Sequence, residues 1–227
     1  PQERTPTSPR LPSQRTPTPD NTDLAFPCEY GGFSGDGREY VIRLSGHDWT
    51  PAPWSNVVAN PDFGFLVTES GGGYTWAENS RENKLTSWSN DPVSDAPGEA
   101  IYLRDEETGV LWCPTPLPIR DSAVYEVRHG QGYSTFSHRA NAIQSELRVT
   151  IAPKDRVKFA IVRLRNVDNR RRTISATYFA ELVLGVSRDQ TSLHTLTSVD
   201  PATGTLLARN RYSDDHPNQV VFLRVLG

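Results

Sequence analysis

The chain contains no methionine and only two cysteines among its 227 residues. Cys28 and Cys113 lie far apart and make no metal-ligand pattern with each other or with the five histidines. Two free thiols in a reducing compartment are the simplest expectation, while spacing alone leaves a disulfide between them open. Long apolar runs are missing too. No stretch approaches the roughly 20 residues of a membrane-spanning helix, and the first residues lack the apolar core of a signal peptide. Nor is there a basic excess: the formal net charge is −3, which argues against the concentrated basic face that nucleic-acid binding needs. The one tight basic cluster, Arg170 to Arg172, follows Asn166, Asp168 and Asn169 and reads as a solvated hairpin turn. No internal repeat of fixed period is visible. The lack of methionine fits an internal piece of a longer polypeptide and carries no chemical message.

What is present suits one large all-β domain. The length allows a sizeable core, and a 36% hydrophobic share with 5 Trp, 8 Tyr and 8 Phe can fill it. Residues 1–25 read as a linker, because Pro1 to Asn21 is rich in Pro, Thr and Ser without apolar periodicity. Residues 26–227 then show strand signals at short intervals with turns between them, the pattern of a sandwich rather than of βαβ units. Arg38 to Leu44 and Phe63 to Thr68 alternate as half-buried strands. Ile143 to Ile151 alternates most clearly, with Ile143, Leu147, Val149 and Ile151 on one face. Its partner, Val157 to Asn166, is apolar on both faces and is expected in the middle of a sheet between two layers. Thr173 to Leu184 is expected to be one long strand. Turns at Asp105 to Gly109 and Asp200 to Gly204 each end in glycine, as a hairpin wants.

The densest chemistry lies in Gly71 to Trp112, GGGYTWAENSRENKLTSWSNDPVSDAPGEAIYLRDEETGVLW. Tyr74 and Trp76, two apart, share one face of a strand, and flat rings in line are what a pyranose stacks on. Asn79, Ser80, Arg81, Asn90 and Asp91 could supply hydroxyl partners around them. The alternative is that the polar residues build long structured loops and the rings are core. Glycoside hydrolysis would need two carboxylates about 5 to 10 Å apart. Glu78, Glu82, Asp91, Asp95, Glu99 and Asp105 are candidates by abundance, but acids in loops are ordinarily solvated. His129 and His138 bracket HGQGYSTFSH at a separation that matches no common metal spacing. Gly130 and Gly132 there suggest a bulge or close backbone approach, with Tyr133 and Phe136 on opposite faces. Ser134 and Ser137 show no nucleophile-elbow pattern.

Several blocks in order, GGGYTWAENSRENKLTSWSNDPVSD, GEAIYLRDEETGVLW, HGQGYSTFSHRANAIQSELRV, YFAELVLG and GTLLARNRYSDD, resemble the N-terminal β-sandwich of the inverting glycoside phosphorylases, glycoside hydrolase family 94. The resemblance runs from about Phe26 to the C-terminus. The upstream block EYGGFSGDGREYVIRL is most similar to the cyclic β-1,2-glucan synthase branch. The resemblance implies an all-β fold: a large antiparallel β-sandwich (supersandwich, galactose-mutarotase-like), truncated at its C-terminal end. It also implies a catalytic acid in a downstream (α/α)6 barrel, with no catalytic residue in this chain. Inorganic phosphate would be the co-substrate of the parent enzyme, and no cofactor or metal is implied. The expected partners are β-glucan oligosaccharide, the barrel of the same parent chain and a second copy in a homodimer, with no nucleic acid. The expected location is cytoplasmic, any membrane link belonging to other parts of the parent. Tyr74, Trp76, Asn79, Arg81, Trp88 and Asp91 are placed at the edge of the active site as carbohydrate-binding residues. The competing readings are a freestanding carbohydrate-binding module and a purely structural domain.

Overall fold

A computed structural model describes residues 20–46 and 48–227. Its strands, in chain order, are β1 (Gly31–Phe33), β2 (Glu39–Leu44), β3 (Ser55–Asn60), β4 (Phe63–Thr68), β5 (Gly73–Ala77), β6 (Lys84–Thr86), β7 (Glu99–Asp105) and β8 (Leu111–Trp112). They continue with β9 (Tyr125–Gly130), β10 (Tyr133–Ala140), β11 (Ile143–Ile151), β12 (Lys158–Asn166), β13 (Ile174–Ala180), β14 (Leu182–Gly185), β15 (Thr195–Val199), β16 (Leu206–Asn210) and β17 (Val221–Leu223). One short helix, α1 (Arg188–Thr191), separates β14 from β15. Every pairing between these strands is antiparallel. Four sheets result, in the orders β1-β2-β9-β10-β11-β12, β13-β7-β8, β14-β6-β5-β4-β3 and β15-β16-β17. The chain is thus all-β, as its alternating patterns predict.

The core explains why these segments are strands. On β11 the buried positions Ile143, Ser145, Leu147 and Val149 alternate with more open ones, because successive side chains of a strand point to opposite faces. That inner row meets Ile42, Leu44, Val127 and Phe136 of the same sheet, Val58, Phe65 and Val67 of the five-stranded sheet, and Ile101, Leu103 and Trp112 of the β13-β7-β8 sheet. Three sheets therefore close on one apolar core. A second cluster, Phe63, Ala77, Leu85, Leu184 and Ala208, ties the five-stranded sheet to β16. The hairpins at Asp105 to Gly109 and Asp200 to Gly204 form as expected, with Gly109 and Gly204 at φ of 73° and 68°. In the His129 to His138 segment, Gln131 and Gly132 make a two-residue turn instead of a bulge, and Gly130 provides the close approach, its hydrogen facing the Tyr133 ring. Phe136 is buried and Tyr133 half-buried on the opposite face.

Several expectations need correction. Strand β12 is not central: it pairs with β11 along its whole length but forms the edge of its sheet. Phe159, Ile161 and Leu164 stand 45%, 41% and 40% exposed there, because among the described residues no strand or layer covers them. The stretch Thr173 to Leu184 is two strands in two sheets. At Glu181 the amide donates to Gly98 O (2.8 Å) and the carbonyl accepts from Ser87 N (2.9 Å), which diverts the chain from β7 to β6. Strands β2 and β4 are more deeply buried than half-buried alternation implies, with Val41, Ile42 and Leu44 fully enclosed. Most of the expected linker, residues 1–19, lies outside the described residues. Its remainder packs: Asn21 and Leu24 are buried and Ala25 bridges Phe33.

Two acids expected to be solvated are instead enclosed. Asp105 and Arg172 form an ion pair with side chains 0% and 3% exposed, so the last residue of the basic cluster is a structural cation. Asp105 also accepts the amides of Glu107 (2.9 Å) and Thr108 (3.1 Å), closing its own turn. Glu99 on β7 accepts from Lys158 Nζ (2.7 Å) on β12, Tyr178 Oη (2.5 Å) on β13, Thr75 Oγ1 (2.5 Å) on β5 and Thr86 Oγ1 (2.8 Å) on β6. Burial alone would raise its pKa, but the Lys158 ammonium and these hydroxyl donors override burial and hold the carboxyl down at about 2. One carboxylate thereby links three sheets.

Candidate functional site

Strand β5 places Tyr74 and Trp76 on one face, opposite Leu66 and Gly64 of β4. Their ring centroids are 5.2 Å apart at 39°. Gly64 makes room for the indole, since a Cβ there would lie 2.5 Å from Trp76 Cζ2. Trp88, two residues beyond the end of β6, then stacks on Tyr74 at 4.7 Å and 14°. The three rings form a ladder with Tyr74 at its centre, 6% exposed, and burial pushes the Tyr74 phenol pKa up. The two-ring platform expected at Tyr74 and Trp76 therefore exists as a contact, but Trp88 covers Tyr74. Trp76 and Trp88 are both half-buried, and of the two Trp88 lines a cleft.

This cleft has a volume of about 260 Å³, close to the smallest ligand sites. One wall is Lys84, Ser87, Trp88, Ser89, Ala96 and Pro97; the other is Glu181, Val183, Val186, Ser187 and Arg188. The walls are joined at their base by the backbone bonds of Glu181 to Ser87 and Gly98. Lys84 Nζ donates to Arg81 O (2.8 Å) and Val186 O (2.9 Å), tying the β5–β6 turn to the far wall. Glu181 and Arg188 pair at 3.2 Å in a partly exposed position. An aromatic plate, three serine hydroxyls, one carboxylate and one guanidinium are donors and acceptors suited to a polyhydroxylated ring. Among the described residues Glu181 is the single acid on the cleft lining, so the paired carboxylates of glycoside hydrolysis are not assembled there.

The other expected contact residues lie in the loops around the cleft and make local bonds. Asn79 Oδ1 accepts the amides of Arg81 and Glu82, both at 2.9 Å, and so closes the turn between β5 and β6. Arg81 is 86% exposed and pairs with neighbouring Glu82; it touches the cleft only through its carbonyl on Lys84. Asp91 accepts Val93 N (2.9 Å) and Ser94 Oγ (2.6 Å), folding the loop that follows Trp88. Sequence reading missed Lys84, Glu181, Ser187 and Arg188. The last three come to the cleft only through the diversion of the chain at Glu181, which no local pattern announces.

Two further acids stand behind the loop wall. Asp95 Oδ2 accepts Thr68 Oγ1 at 2.5 Å, and burial together with neighbouring Glu69 and Asp91 raises its pKa to about 6. Glu69, 2% exposed, accepts the Thr50 hydroxyl and Trp54 N (2.7 Å), and burial raises its pKa also. His138 is buried and His129 half-buried, and both are internally bonded: His129 to Ser134 Oγ and Trp54 O, His138 to Asp121 and Val124 O, with the His138 ring stacked on Tyr125. Burial lowers the His129 pKa to about 4. Among the described residues no three His, Cys, Asp or Glu side chains are grouped to hold a metal ion, and no helix is long and apolar enough to cross a membrane. Cys28 and Cys113 are free thiols, one exposed and one buried.

Residues 38–227 match the family model described as glycosyl hydrolase 94, supersandwich domain. The chain is 40% identical over 204 residues to the cyclic β-(1,2)-glucan synthase NdvB of Rhizobium meliloti, covering 89% of this chain and 7% of that protein. It is 35% identical over 156 residues to the N,N'-diacetylchitobiose phosphorylase of Vibrio furnissii, covering 67% and 19%. The solabiose phosphorylase of Paenibacillus borealis is 29% identical over 166 residues, covering 68% and 20%. The chain thus spans a fifth or less of the length of these relatives. With the family model matched from Arg38 to the last residue, the chain belongs to the glycosyl hydrolase 94 family and carries its supersandwich domain.

Proposed function

We propose that this chain is the non-catalytic sandwich of a glycoside phosphorylase of the cyclic β-1,2-glucan synthase type, and that it contacts glucan through the Trp88 cleft. In this reading the four sheets belong to one galactose-mutarotase-like supersandwich that supports a catalytic (α/α)6 barrel and takes part in dimerisation. The complete protein, cytoplasmic in this reading, would carry out reversible phosphorolysis: phosphate attacks the anomeric carbon of a β-linked glucoside with inversion, releasing α-glucose 1-phosphate and a shortened glucan. Phosphate is itself the nucleophile, so one carboxylic acid suffices to protonate the leaving oxygen, and that acid is assigned to the barrel. The observation that carries the glucan contact is the cleft, where a half-buried tryptophan faces hydroxyl, carboxylate and guanidinium groups within about 260 Å³. Of the residues proposed from sequence, Trp88 is retained as a direct contact. Tyr74 supports its ring from beneath, Trp76 packs against Tyr74, and Asn79, Arg81 and Asp91 shape the loops on either side.

The test is kinetic. In the complete protein, Trp88→Ala should lower kcat/KM for phosphorolysis of β-1,2-glucooligosaccharides by about tenfold, the scale of one lost ring contact of about 1.4 kcal/mol. An unchanged kcat/KM in a folded variant would sink the assignment. Saturable glucan binding by the chain without a barrel would favour the freestanding module, since the accessory reading expects a contribution only in the complete protein.

A further inference from the structure

The cleft sets an indole against an ion pair. Trp88 carries Tyr74 on one face, at 4.7 Å and 14°, so a pyranose in the cleft can stack only on the other. A β-glucosyl unit holds all its ring substituents equatorial, and when it stacks by its C–H face its hydroxyls spread outward in the plane of the sugar. They meet the walls rather than the tryptophan. The wall opposite Trp88 carries Glu181 and Arg188, the carboxylate and the guanidinium of the lining.

The backbone fixes where this pair stands. The Glu181 amide and carbonyl are bonded to Gly98 O and Ser87 N, at the two ends of the loop that bears Trp88, so the carboxylate is anchored to the same frame as the ring. Arg188 meets it through Nε and Oε1 at 3.2 Å. Glu181 Oε2 and both Nη atoms of Arg188 are left without a protein partner among the described residues, whereas the Lys84 ammonium at the same cleft is bonded to two carbonyls. With side chains 34% and 67% exposed, the pair contributes little to holding the fold. Its free acceptor and donors face the cleft.

We infer that Glu181 and Arg188 together bind the O3 and O4 hydroxyls of a glucosyl unit stacked on Trp88. Within a β-1,2-linked chain O1 and O2 are taken by the glycosidic bonds, which leaves O3 and O4 as the one adjacent pair of free ring hydroxyls. Each hydroxyl both donates and accepts. One can donate to Glu181 Oε2 while its neighbour accepts from an Arg188 Nη, two charge-assisted bonds made side by side. An internal β-1,3-linked unit has no such pair and would leave one of the two side chains unmet. This assignment rests on the proposed glucan contact of the cleft and adds to it the hydroxyls that are recognised.

Protection of Trp88 from hydroxyl radicals in the complete protein, titrated with β-1,2-glucotriose and with its analogue lacking O3 and O4 in every unit, tests it at the cleft itself. In the wild type the concentration for half-protection should be about tenfold higher for the analogue. The combined Glu181→Ala and Arg188→Ala variant keeps the backbone bonds and leaves no charge unpaired. It should need about tenfold more glucotriose than the wild type and show no further rise with the analogue. Equal half-protection by the two sugars in the wild type overturns the assignment, and so does a penalty of wild-type size in the combined variant; in both cases Trp88 remains a glucan contact. Absence of Trp88 protection by either sugar overturns the glucan contact, and the hydroxyl assignment with it.

Discussion

Replacing Glu99 with alanine should lower the unfolding free energy of the chain by about 3–5 kcal/mol, the range for removing one partner of a buried ion pair. The Glu99 and Lys158 side chains are 11% and 18% exposed. The substitution leaves an ammonium in the interior and removes the acceptor of three hydroxyls donated by Thr75, Thr86 and Tyr178. Urea unfolding followed by far-UV circular dichroism measures the loss. The combined Glu99→Leu and Lys158→Met variant should recover part of it, because uncompensated charge is the main cost. The pH profile gives the same account from another side. A carboxyl whose pKa is depressed to about 2 contributes stability that is fully present above its unfolded value of about 4.5 and is lost as pH falls through 2. The wild-type contribution of Glu99 should thus be constant from pH 7 to pH 5, and that of Glu99→Gln should lack the acid loss.

Gly73→Ala should cost about 3–4 kcal/mol, for two reasons that add. Gly73 has a φ of 142°, outside the range of L-residues. A Cβ would also fall 2.0 Å from Leu66 O on the neighbouring strand β4, so the β4–β5 pairing would have to separate. The effect should reach the cleft, because Tyr74 follows Gly73 and carries Trp88 on its ring. Thermal unfolding would report the destabilisation and near-UV circular dichroism the loss of the Tyr74–Trp88 stack. A variant with wild-type stability and an unchanged aromatic spectrum would contradict this assignment of the glycine.

The strands were legible where one face is buried and the other wet. Ile143 to Ile151 announces itself by alternation because β11 has such faces, and the glycine-ended turns announce the hairpins. Val157 to Asn166 misled because apolar residues on both faces ordinarily mean cover on both, and β12 is an open edge. Thr173 to Leu184 misled because extended backbone looks the same whether it stays in one sheet or passes between two; the decision at Glu181 is made by Gly98 and Ser87, far away in sequence. The burial of Glu99 and Asp105 was illegible for a similar reason, their cations Lys158 and Arg172 being brought in by β12 and the segment before β13. Of the site, the aromatic residues were legible as types and two-residue spacing. That Trp88 rather than Tyr74 would be the ring left open depended on a stack between segments that sequence does not pair.

The glucan contact at Trp88 is the central claim, and hydroxyl-radical footprinting of the complete protein tests it most directly. With saturating β-1,2-glucooligosaccharide, oxidation of Trp88 should fall several-fold, while Trp49, 46% exposed on a different loop, stays at its unliganded rate. Equal oxidation of Trp88 with and without glucan, in a protein that binds it, would contradict the account and leave the sandwich a structural support.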